Sequence, residues 1–369
     1  MERRDFLTGA GIVAAAGLAG CTGGPTGDGG SGGDNGSGND SNGTGGGSGE
    51  AEANIGIVYA TGGLGDGSFN DQARQGIKQA EEELNIAYEQ RQPDEVSQFS
   101  TFQQELASSG EYDLVCCIGF LQKDSLSETA PQYPEQSFMI VDESVDAENV
   151  ASYVFREEEG SFLVGQMAGL LTTREFSAGA GETNGDPTVG FVGGVEGSLI
   201  GRFEAGFEAG VKNADPDVEV LTSYVGDFNN PSGGKEAALA MYNQGADIVY
   251  HAAGNTGTGV FQAAQEAGRF AIGVDRDQSV TKEGYADVIL ASMVKRVDTA
   301  VYNSVEATVS GEFAGGETTT LGLEQEGVAA VYGQQIGGDI PSAVKDSVEQ
   351  VREQLVGGEI EVPTDPSQV

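Results

Sequence analysis

From Asn54 onward the chain alternates short apolar runs with longer amphipathic stretches. The runs lie near 54–60, 86–92, 114–119, 137–142 and 150–155, and again near 188–194, 219–225, 247–253, 270–275 and 288–294. Apolar runs of this length, bounded by Gly, Asn and Asp, predict buried strands. Stretches such as FNDQARQGIKQAEEEL and IGRFEAGFEAGVKNA place their apolar residues on one side and predict helices. Strand and helix in alternation predict a parallel sheet covered on both faces.

The pattern also repeats. YDLVCCIG (112–119) aligns with ADIVYHAAG (246–254), and SFMIVDES (137–144) with FAIGVDRD (270–277). Each half opens on a run ending in Gly-Gly, VYATGG and FVGG. Two copies of one α/β unit are therefore expected. In open parallel sheets, ligands sit beyond the carboxyl ends of the strands. Asp142, Asp275, Gly119, Gly254 and the Gly-Gly loops all fall at such ends. If the two units face each other, these positions converge on one cleft that closes by hinge bending.

The ends add an address. MERRDFLTGAGIVAAAGLAGC pairs Arg3-Arg4 with an apolar stretch too short to span a bilayer. It resembles a twin-arginine export signal, and Leu18-Ala19-Gly20-Cys21 resembles a lipobox with Cys21 as the lipidated residue. Residues 22–53 are dominated by Gly, Ser, Asn, Asp and Thr and read as a flexible linker. The body, 54–369, is long enough for two domains. A first lobe is expected over about 54–155 plus about 296–320, and a second over about 185–295 plus the C-terminal segment.

Charge and rare residues narrow the chemistry. The chain carries 58 acidic and 18 basic residues, a net charge of −40. That excludes a nucleic-acid partner, which needs a basic face. The acids are scattered, as on a solvated surface of the halophile kind. Cys116 and Cys117 sit side by side in a buried-strand pattern and read as small core residues. With a single histidine, His251, neither a metal site nor a Ser-His-Asp relay has support.

The first loop, TGGLGDGSFND, has the look of a phosphate cradle. A Walker loop needs a lysine that is absent, and G-x-G-x-x-G would need glycine at Ser68. The glycines are better suited to bring backbone close to a neutral ligand. Phe69 then offers a flat face, or plugs the space beneath the first helix. Asn70 can donate and accept at a base edge, or cap that helix, a role Asp71 could take instead. Phe228, in the polar loop GDFNNPSGG, would make a second plate opposite Phe69. Asp142 and Asp275 could accept from a vicinal diol, and Lys295 would add a cation.

Taken together, GDGSFNDQARQGI, GFLQKDSLSETA, VASYVFREEEGSFLVGQMAGLL, VGFVGGVEGSLIGRFEAGFEAGVK, the stretch from DFNNPSGG to FQAAQEAG, AIGVDRDQ and ASMVKRVDTAVY resemble the basic membrane protein family. These are substrate-binding lipoproteins of ABC importers, several of which bind purine nucleosides. The resemblance runs through the whole body in order. It implies a type I periplasmic-binding-protein fold: two Rossmann-like lobes, a hinge and an interlobe cleft. It implies a base sandwiched by Phe69 and Phe228, ribose-binding acids at Asp142 and Asp275, and a lysine at Lys295. Asp124 is the alternative to Asp142, and Gly254 and Asn255 complete the expected set.

One departure stands out. Some members carry an aspartate just after the first strand that bonds the base, where this chain has Ala60 and Thr61. The base is therefore left unassigned. The expectation is a monomeric, lipid-anchored receptor at the extracytoplasmic face of the cell membrane. It would use no cofactor, perform no covalent chemistry and hand a nucleoside to an ABC permease and its ATPase. A receptor for a sugar, nucleobase or small signal molecule is the alternative on the same fold. An α/β enzyme is the third reading, and the nucleophile elbow G-x-S-x-G it would need is absent.

Overall fold

The computed structural model describes residues 51–369. The arginine pair, the Cys21 lipobox and nearly all of the expected linker lie outside the described residues.

In the first unit, β1 (Asn54–Val58), β2 (Ala87–Arg91), β3 (Leu114–Cys117), β4 (Ser137–Val141) and β5 (Val150–Phe155) alternate with α1 (Phe69–Leu84), α2 (Phe99–Ser109) and α3 (Lys123–Thr129). The chain then forms α4 (Glu157–Thr172) and a small hairpin, β6 (Ser177–Ala178) and β7 (Gly181–Glu182). The second unit repeats the scheme with β8 (Thr188–Gly193), β9 (Glu219–Tyr224), β10 (Ile248–Ala252), β11 (Phe270–Asp275) and β12 (Ile289–Lys295). Its helices are α5 (Ser198–Ala214), α6 (Pro231–Asn243), α7 (Gly257–Ala267) and the short α8 (Gln278–Thr281). The remaining elements are α9 (Val297–Ser310), β13 (Thr318–Leu321), β14 (Val328–Tyr332) and α10 (Ser342–Val356).

Two six-stranded sheets result, ordered β13-β5-β4-β3-β1-β2 and β14-β12-β11-β10-β8-β9. All neighbours in the first are parallel; in the second only β14, beside β12, runs antiparallel. Each order reverses once, between β1 and β3 and between β8 and β10. Those switch points open a crevice beyond the strands' carboxyl ends.

Burial explains the strands. β3, β8, β10, β11 and β12 are buried along their whole length, as strands covered by helices on both faces must be. Cys116 and Cys117 are both buried and unbonded, and they belong to separate clusters on either side of β3. The edge strands β13 and β14 do not appear among the apolar runs. β13 is the mostly exposed Thr-Thr-Thr-Leu, which pairing with β5 rather than hydrophobicity makes a strand.

The chain passes between the sheets three times, after β5, after β12 and after β13. α4 packs on α5 and α9 packs back on α1. The crossings are bonded to one another: Arg156 N donates to Leu321 O (3.1 Å), Arg296 N to Gly327 O (2.9 Å) and Leu323 N to Glu159 Oε2 (2.8 Å). Such a bundle of element-terminal residues is where hinge bending concentrates. Among the described residues no helix is long and apolar enough to cross a membrane.

Candidate functional site

The two switch points share one cavity, with about 630 Å³ of space between protein atoms, its mouth included. The first sheet contributes Ala60, Thr61, Asp66, Phe69, Asn70, Phe120 and Asp142; the second contributes Phe203, Phe228, Gly254, Asp275 and Lys295. Most of the remaining wall is apolar, including Leu121, Leu199, Ile200 and Val274.

The loop after β1 is built around Asp66. Its Oδ1 accepts from Ser68 N (2.9 Å) and Asp71 N (3.2 Å), and its Oδ2 from Asn70 N (2.9 Å). The N-cap position of α1 is Ser68, but it is the Asp66 side chain that satisfies the free amides there. Burial pushes its carboxyl up to about 6, against the pull of those amides. The sequence reading gave the cap to Asn70 or Asp71, and the structure corrects this. Both residues already lie inside the first turn, where side chains lean back over the preceding loop. Asn70 Oδ1 accepts from Ala60 N (2.9 Å), and Asp71 accepts from Gly65 N (3.0 Å) and Gly67 N (2.8 Å). Among the described residues nothing bonds the Asn70 amide nitrogen.

Each aromatic plate rests on a glycine. A β-carbon at Gly119 would stand 3.3 Å from the Phe69 ring, and one at Gly194 would be 2.4 Å from the Phe228 ring. Thr256 fixes the Phe228 loop: its Oγ1 donates to Asp227 O (2.7 Å) and accepts from Asn230 N (2.8 Å). Phe120 meets Phe228 edge-on, with ring centroids 6.3 Å apart.

The polar group of the cavity centres on Lys295, the last residue of β12 and 2% exposed. Its Nζ donates to Asp142 Oδ2 (2.7 Å) and stands 3.6 Å from Glu157 Oε1. The rings of Phe69, Phe203 and Phe155 surround it, centroids 4.9, 5.3 and 5.5 Å away. Burial acts to strip its proton, yet Asp142, Glu157 and Asp275 together hold the ammonium above its ordinary range. Burial pushes the Glu157 carboxyl up to about 8, and the Lys295 ammonium pulls it back down in part. Asp142 and Asp275 are raised by burial and drawn back down by Lys295. Both aspartates have left-handed backbone, φ 72° and 63°, at equivalent places in the two sheets. That repeated strain aims both carboxylates over the strand ends. Asp142 Oδ1 carries no hydrogen bond, and Asp275 Oδ2 accepts from Ser68 Oγ at 2.5 Å.

Of the residues singled out in the sequence, Phe69, Asn70, Asp142, Phe228, Gly254, Asp275 and Lys295 line this cavity, and Gly119 does too. Asp124 lies exposed on α3 and does not line it. Asn255 does not line it and bonds to the neighbouring Phe228 loop instead, donating to Asn229 Oδ1 (2.7 Å) and accepting from Thr258 Oγ1 (3.1 Å). Sequence reasoning missed Phe120, Phe203 and Glu157. Phe120 follows Gly119 directly at a strand end, a signal as good as the one that marked Phe69. His251 is buried and donates from Nε2 to Gln278 Oε1 (3.0 Å), which also accepts from Val274 N (2.9 Å). Burial takes its pKa down to about 3, so the ring stays neutral. No cluster of metal-ligating side chains occurs among the described residues.

Comparison with known proteins agrees with this fold. The Bmp family model, described as ABC transporter substrate-binding protein PnrA-like, matches residues 53–365. The chain is 37% identical over 331 residues to a CD4+ T-cell-stimulating antigen of Listeria innocua, covering 85% of this chain and 88% of that one. It is 34% identical to the ABC transporter nucleoside-binding protein BmpA of Lactococcus lactis, covering 84% and 88%. Among solved structures, an ABC transporter solute-binding protein from Aeropyrum pernix superposes with a TM-score of 0.75 at 30% identity, covering 85% and 93%.

Proposed function

The chain belongs to the Bmp family of PnrA-like ABC transporter substrate-binding proteins, solute receptors rather than enzymes, and from that premise we propose that its ligand is a nucleoside. The observation that carries this reading is the joint lining of one cavity by Phe69 from one sheet and Phe228 from the other, with Asp142, Asp275 and Lys295 beside them. A base would stack between the two rings, each contact worth about 1–3 kcal/mol. The ribose hydroxyls would donate to Asp142 Oδ1 and to Asp275, with Lys295 holding the pair of acids in place. The Asn70 amide, whose oxygen is engaged by Ala60, would donate to an acceptor on the base.

Ala60 and Thr61 supply no carboxylate to the base, so the choice among bases rests on other groups. A free sugar suits the site less well, because most of the wall is carbon and four phenylalanines would face hydroxyls. The protein would be anchored through lipid on Cys21 at the extracytoplasmic face, act as a monomer, and pass the nucleoside to an ABC permease driven by its ATPase.

Mass spectrometry of ligand released from gently purified protein tests this reading. A nucleoside is expected. A free sugar or free base in its place, or calorimetry at working salt that finds no nucleoside binding, overturns it.

A further inference from the structure

Ser68, Gly67 and Gln75 belong to the β1–α1 segment of the first unit, while in the second Asp275 ends β11 and Arg276, Gln278 and Thr281 follow it. Four hydrogen bonds join them. Ser68 Oγ donates to Asp275 Oδ2 (2.5 Å), and Gly67 O accepts from Thr281 Oγ1 (2.8 Å) and Gln278 Nε2 (3.3 Å). Arg276 Nη2 donates to Gln75 Oε1 (2.9 Å). Ser68 and Gln278 are fully buried and Asp275 nearly so. Gln278 is in turn held from behind by His251, by Val274 N and, through its own N–H, by Ser292 Oγ (3.0 Å).

A second junction between the units, Phe120 against Phe228, lies on the loop after β9. In the second sheet β10 and β8 stand between β11 and β9, so three strand spacings put the junctions roughly 14 Å apart. The cavity lies between them. Every bond at the first junction joins protein atom to protein atom, and none needs a ligand atom to complete it.

We propose that Gly67–Ser68 is the latch of the cleft, captured by Asp275, Gln278 and Thr281 of the opposite lobe, with Ser68 a positioning residue that leaves Asp275 one oxygen for the ligand. Closure is then set partly by the protein itself. Only the last clause rests on the nucleoside reading; the latch does not.

Hydrogen–deuterium exchange on the intact protein without added nucleoside tests it. Thr281→Val removes one neutral hydrogen bond and should speed exchange about two- to ten-fold, and Ser68→Ala, which removes a bond to a carboxylate, about ten-fold or more. The decisive peptides are those around Phe120 and Phe228, which neither substituted side chain touches. Faster exchange there reports lobe opening, and Thr281→Ser, which keeps the hydroxyl, should restore the slow rate. Thr281 is half-buried, so Thr281→Val remains informative if Ser68→Ala fails to fold. Exchange that changes only at the substituted segments, or not at all, overturns the latch. Nucleoside binding measured by calorimetry on the same samples keeps the outcomes apart: a latch without nucleoside binding, or binding without a latch, are distinct results.

Discussion

At Lys295 one cation serves three acids in a place closed to bulk water. Removing charges from water is costly, and the site offsets that cost by giving Asp142 a direct bond to the ammonium and setting Glu157 3.6 Å from it. The lysine was legible because it ends an apolar strand in a lysine-poor chain. Glu157 was not, since it opens the run Glu157-Glu158-Glu159 at the start of α4, where acids are ordinary helix-terminus residues. Phe228 is the residue on which the site is most open to test. Phe228→Ala removes one plate and should weaken nucleoside binding about ten-fold or more, the equivalent of about 1–3 kcal/mol of stacking. Calorimetry on the variant checks this, and an unchanged affinity would reduce Phe228 to scaffold. The cap of α1 shows why pattern reading stops short at this scale. Asn, Asp and Ser cluster within six residues there, and only the backbone path decides that Asp66 satisfies the free amides while Asn70 and Asp71 pin the loop.

Between elements, glycine does the work that large side chains do elsewhere. α4 and α5 pack so closely that a β-carbon at Gly210 would lie 2.1 Å from Phe162 O. Gly210→Ala gains about 1 kcal/mol of helix propensity, but the contact is with backbone and cannot rotate away. The clash should win, for a net loss of about 1–3 kcal/mol in urea unfolding; a more stable variant would show that the helices separate freely. The glycine spacing in GSFLVGQMAGLL and AGFEAG was visible in the sequence, but nothing there said which helix met which. The interior strands were legible because full burial makes them continuous apolar runs. Of the edge strands, β2 and β9 were read, β13 was hidden by its polar Thr-Thr-Thr, and β14, though its Val-Ala-Ala-Val-Tyr is apolar, was passed over. The absence of β13 and β14 from the pattern also hid how the chain returns to each sheet.

On the whole molecule, 18 basic residues cannot neutralise 58 acidic ones, and most carboxylates face their own kind across water. Repulsion of that sort is screened over about 3 Å at 1 M salt but reaches about 30 Å at 0.01 M. The melting temperature should therefore rise from low to multimolar salt, and equal values by calorimetry would contradict this. The three crossings have a consequence for how such a molecule comes into being. The first sheet receives its edge strand only when Leu321 has been synthesised, and the second only when Tyr332 has. A nascent chain halted earlier carries open sheet edges of the kind that seek other chains. The cell must shelter almost the whole polypeptide before either half is finished.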